Sequence, residues 1–97
     1  VSDLDKRIYD ADQARLVLEN PAFAQAFNDV KQEIIESWEN SPARDQEGRE
    51  KLYQLLKLAD KLQLTLRRSL ESGQLAKAEL HHQQTMLERA KQAVGWS

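Results

Sequence analysis

Ninety-seven residues with no cysteine, three glycines and two prolines fit one domain and exclude a disulfide framework and thiolate chemistry. Few turn formers, set among many Leu, Ala, Gln, Glu, Lys and Arg residues, exclude a strand-rich fold. A net charge of −2 does not by itself predict nucleic-acid binding, and the longest apolar run falls far short of the ~20 residues that span a bilayer.

The charge is unevenly spread. Residues 1–40 hold nine acids and four bases, whereas residues 41–97 hold seven acids and ten bases, so the two halves attract and are suited to packing or stacking head to tail. A domain this small buries only roughly 60–68% of the surface its unfolded chain exposes, which makes self-association a useful source of stability. The start of the chain shows no charged segment followed by an apolar stretch, so neither export nor membrane insertion is expected. The lack of cysteine suits a reducing compartment.

Ser2 precedes Asp3 and Asp5, the chemistry of a helix N-cap with carboxylates at the positive end of the dipole. A first helix is predicted over 3–19. Leu4, Ile8, Ala11 and Leu18 make its core stripe, while Tyr9 and Leu16, seven apart, fall on the opposite side.

Asn20-Pro21 predicts the next boundary, because Asn caps well and Pro is tolerated at the first helical position. The second helix is predicted over 21–39. Phe23, Ala26, Phe27, Val30, Ile34 and Trp38 form one stripe, flanked by Asp29, Glu33 and Glu36, with Ile35 on its flank.

Asn40-Ser41-Pro42 ends that pattern, and Asp45 is placed to cap a third helix over 46–72. Asp45–Arg49 and Glu47–Lys51 are acid-before-base pairs at i,i+4. Leu52, Leu55, Leu56, Leu58, Ala59, Leu62, Leu66 and Leu70 span an arc of about 160° on a helical wheel, wide enough for two neighbours. Gly73 then suits the left-handed residue that ends a helix.

A fourth helix is predicted over 74–94, where Ala76, Leu80, Gln83, Leu87, Ala90 and Val94 make a seam of alternating fours and threes and Gly95 is a second terminator. One Gly costs only about 1 kcal/mol inside a helix, so the alternative is a single rod of about 70 Å. The expected fold is therefore a single all-α domain over 1–97, a bundle of three or four helices with a long antiparallel C-terminal pair.

No residue is assigned a catalytic, cofactor-binding or metal-binding role. Glu79-Leu80-His81-His82 has the Glu-x-x-His spacing of di-iron bundles, but there is no second such motif, and adjacent histidines point about 100° apart on a helix. The serines lie at caps and helix ends with no glycine-rich elbow, and Gly48, Gly73 and Gly95 stand too far apart for a phosphate-binding loop. Glu33 and Glu36 share their side with Asp29, as on an ordinary solvated flank.

Two surfaces stand out as candidates. Tyr53, Lys57, Lys61, Leu64 and Arg68 share one side of the third helix as a protein- or phosphate-binding face, although Glu50 and Glu71 dilute its field. Tyr9, Leu16, Ile35 and Trp96 are apolar groups that the core stripes do not use, and together they would mark a subunit interface.

The run from Asn20-Pro21-Ala22-Phe23 through Trp38 to Ser41-Pro42-Ala43-Arg44-Asp45-Gln46-Glu47-Gly48-Arg49-Glu50-Lys51-Leu52, with the Leu-rich helix and Ser72-Gly73-Gln74-Leu75-Ala76 that follow, resembles small helical proteins encoded in tailed-phage and prophage gene clusters. The likeness covers about residues 8–80 and rests on helix caps and starts rather than chemistry. It implies a virion-assembly or packaging role, without an enzyme activity, in the host cytoplasm or the virion. The expected partners are further copies of the chain or another virion structural protein. The alternatives are a nucleic-acid-binding packaging accessory like a small terminase subunit, lacking an evident helix-turn-helix, and a small inhibitor of a host enzyme.

Overall fold

A computed structural model describes residues 2–95, and all of its regular structure is helical. Three helices follow in chain order: α1 Asp3–Leu18, α2 Pro21–Asn40 and α3 Gln46–Gly95. The first boundaries come from local chemistry. The Ser2 side chain accepts from the Asp5 amide at 3.1 Å, and Asn20 Oδ1 accepts from the Phe23 amide at 3.0 Å ahead of a helix that starts on Pro21.

The turn between α2 and α3 is held mainly by one side chain. Asp45 caps α3 by accepting from the Gly48 amide at 3.0 Å, which leaves Arg49 free to reach back. Its Nη1 donates to the carbonyl oxygen of Trp38 at 3.2 Å and to Ser41 Oγ at 2.8 Å, and its guanidinium lies 4.2 Å from the centre of the Trp38 ring. The Asp45–Arg49 pair expected from spacing is thus replaced by a cap and a cross-helix clamp, because the unpaired carbonyls at the end of α2 are the better acceptors for a planar donor. The Glu47–Lys51 pair does form, at 3.3 Å.

The expected break at Gly73 does not occur. α3 is one helix of 50 residues, and Gly73 has no positive φ. The rod replaces the antiparallel C-terminal pair, and three helices stand where a fourth was predicted. Gly73 serves close approach instead of a turn: a Cβ there would overlap the methyl of Ala11 and come within 3.0 Å of the Arg7 carbonyl oxygen. Ala11 and Ala14 of α1 and Gly73 and Ala76 of α3 are the buried residues of the three helices, so the tightest packing is made of the smallest side chains. Arg7 fastens this contact by donating from Nε to Ser72 Oγ at 2.8 Å and from Nη2 to the Ser72 carbonyl at 3.0 Å.

α2 packs on the earlier part of α3. Trp38 meets Arg49 and Lys31 pairs with Asp60 at 2.9 Å, so residue numbers fall along α3 as they rise along α2, and the two helices are antiparallel. α1 and α2 scarcely touch each other and lie in sequence along α3. Beyond Leu80, neither covers α3, and nearly every residue from 81 to 95 is exposed.

The result is long and thin, 81 × 25 × 19 Å, with a radius of gyration of 22.0 Å, against about 12.5 Å for a compact domain of this length. Within one chain the helices make an open two-layer strip, not a closed bundle. No described helix is long and apolar enough to cross a membrane.

Candidate protein-interaction face

The core stripe of α2 and the leucine arc of α3 are the residues a bundle would bury, and the strip leaves much of both uncovered. Val30 is 53% exposed, Leu55 50%, Leu58 63% and Leu62 50%. Together with Phe23, Ala26, Phe27, Ile34 and Ala59 they line an open groove of about 570 Å³ along one face of the α2–α3 pair. Phe23 and Phe27 stack on one another at 5.9 Å between ring centres, and form its floor at the start of α2.

This geometry follows from the sequence. The arc of about 160° on α3 is wider than one neighbour can cover, and α2 lies against only one edge of it. Spacing alone assigned all these leucines to a core. Arc width was the available sign that a second neighbour is needed, and the chain does not supply that neighbour over the first half of α3.

The opposite face of the α2–α3 pair is more closed. Ile34, Ile35, Trp38, Leu52, Tyr53 and Leu56, with Glu39, enclose a smaller hollow of about 280 Å³. Ile35 therefore takes part in the α2–α3 contact and is half-buried, rather than standing apart as a surface group. Tyr9 at 63% and Leu16 at 66% are exposed on the back of α1, away from the groove. The structure does not gather Tyr9, Leu16 and Ile35 into one patch, and Trp96 lies outside the described residues.

Lys57, Lys61, Leu64 and Arg68 share one exposed side of α3, and Tyr53, 50% exposed, stands at its edge, where it also lines the α2–α3 hollow. Lys57 Nζ sits 5.3 Å from the centre of the Tyr53 ring, so that aromatic face is already occupied by a cation of its own helix. Glu50 and Glu71 are exposed on the same side. Two of the five side chains, Tyr53 and Leu64, are apolar and exposed beside the bases.

Among the described residues no group of three or more His, Cys, Asp or Glu side chains is arranged to hold a metal ion. His81 and His82 lie on the uncovered end of α3, where the His81 carbonyl accepts from Thr85 Oγ1 at 3.0 Å. No buried side-chain polar atom lacks a partner among the described residues.

Comparison with family models, with curated proteins and with solved structures finds no match to the chain.

Proposed function

We propose that the chain is a non-enzymatic assembly module that works by burying helix faces against further copies of itself, in the virion-assembly or packaging setting its resemblance to phage-cluster proteins suggests. The observation that carries this reading is the open apolar groove on α2 and α3. The whole chain has an accessible surface of 7833 Å², whereas a compact monomer of this mass exposes about 5,700 Å². The excess, about 2,100 Å² per chain and so about 4,200 Å² for two copies, is shared between the groove and the uncovered end of α3 and lies within the range of about 2,000–5,000 Å² in total that obligate homodimers bury.

An apolar groove of this length is costly to leave in water, at roughly 25 cal/mol for each Å² of apolar surface. A second copy would cover it and complete the bundle that one chain leaves open. Four helices, two from each copy, then enclose the leucines of α3 on both sides. The module carries binding energy in aliphatic and aromatic side chains and needs no reacting group.

Static light scattering across a hundredfold dilution tests the reading. The expected molar mass is an integer multiple of 11.2 kDa, held to low concentration. A mass of one chain throughout would overturn it.

A further inference from the structure

We infer that residues 81–95 of α3 are a second self-association surface, on which the same segment of another copy lies antiparallel. This rests on the pairing proposed above and extends it. About two heptads of seam are fewer than the roughly three to four that mark a coiled coil, so the tail is too short to hold two single chains. It joins dimers already held by the groove, each of which carries two tails.

The seam is continuous with the one that α1 fills. Leu66, Gly73, Leu80, Leu87 and Val94 are seven apart, as are Ala76, Gln83 and Ala90. Where α1 lies on this stripe, Gly73 and Ala76 are buried and Leu66 and Leu80 half-buried. Past Leu80 the same stripe faces outward, with Leu87 57% and Val94 73% exposed and Met86 beside them at 52%. One packing surface thus runs on beyond the helix that covers it, and what fits its first part is another helix laid along it.

Sterics set the direction. Phe23, just past the two-residue link between α1 and α2, lines the groove with Leu62, so the end of α1 lies near that level and its start points toward Leu80. A parallel partner would have to follow the seam on both sides of Leu80, because α3 is one unbroken helix of 50 residues. Upstream of Leu80 that place is taken by α1. An antiparallel partner needs only the stretch past Leu80, and its tail ends where α1 begins, continuing the line of α1 in the same chain direction.

Side-chain sizes suit the antiparallel fit. With Leu87 opposite Ala90 of the partner subunit, each leucine rests on a small residue, as helices packed at close distance require. Gln83 then meets Val94 of the partner subunit at either end. The seam positions Gln83, Leu87, Ala90 and Val94 include no charged residue, so pairing buries no charge.

Sedimentation velocity from micromolar to millimolar chain concentration tests the contact. The wild-type mass is expected to climb from that of two chains toward four and beyond. Leu87→Asp should stay at two throughout, and Gln92→Asp, off the seam, should climb like the wild type. A wild type that stays at two chains, or a Leu87→Asp variant that climbs with it, overturns the tail contact and leaves groove pairing standing. A mass of one chain throughout overturns both. The chain has no cysteine, so oxidising a mixture of Gln83→Cys and Val94→Cys chains at high concentration reads the direction. Antiparallel tails bring the unlike thiols together and hold like ones about 16 Å apart along the axis, at 1.5 Å of rise per residue. A several-fold excess of the mixed disulfide is the expected result, and an excess of like disulfides overturns the antiparallel arrangement.

Discussion

Gly73 of α3 lies against Ala11 of α1 with no space for a methyl group between them. This contact sets how closely α1 can approach the long helix. It gives the glycine a role that helix propensity does not predict.

Two effects of opposite sign meet in Gly73→Ala. Inside a helix the change favours folding by about 1 kcal/mol through backbone entropy, while forcing a methyl into a filled contact costs about 1–3 kcal/mol. The clash wins, since the obstacle is the methyl and backbone of α1 and not a flexible side chain. Thermal unfolding is expected to show a net loss for Gly73→Ala and recovery when Ala11→Gly is added. A gain for the single variant would show that α1 does not sit this close.

Arg49→Met removes the donor to the Trp38 carbonyl and Ser41 Oγ together with the stacking on the Trp38 ring. The expected loss is about 1–2 kcal/mol in urea unfolding at an unchanged slope. Arg49→Lys should recover less than half of it, because an ammonium cannot stack and bridge in one plane. Full recovery by lysine would reduce the clamp to a matter of charge.

Leu58 is 63% exposed on the single chain, so Leu58→Asp would cost a true monomer no more than about 0.5 kcal/mol. In the paired state it places a carboxylate in the middle of a buried groove. Light scattering should show the mass falling to that of one chain. Lys57→Asp, on the solvated side of the same helix, should leave the mass unchanged and so controls for the added charge.

The class of fold and the outer helix boundaries were legible from caps and spacing. Ser2, Asn20-Pro21 and Asp45 each sit where a helix begins, because capping is local and depends on a few adjacent atoms. The course of the chain at Gly73 was not legible in the same way. A glycine at a helix end and a glycine at a helix crossing look alike in sequence, and Ala11, 62 positions away, is what makes this one a crossing. The groove was half legible: the width of the leucine arc on α3 called for two neighbours, but nothing local indicated that α1 and α2 would share the length of α3 instead of flanking it. Tyr9 and Leu16 were rightly placed off the core stripe, whereas Ile35 was drawn into the α2–α3 contact by Tyr53 and Leu56, residues of another helix.

If the groove is a core shared between copies and not spare surface, folding and association are linked, and stability depends on concentration. The direct measurement is the thermal midpoint of helix loss by circular dichroism, taken over a hundredfold range of chain concentration. A midpoint that rises steadily with concentration is the predicted result. A midpoint that stays constant across the range, with cooperative melting, would contradict the account.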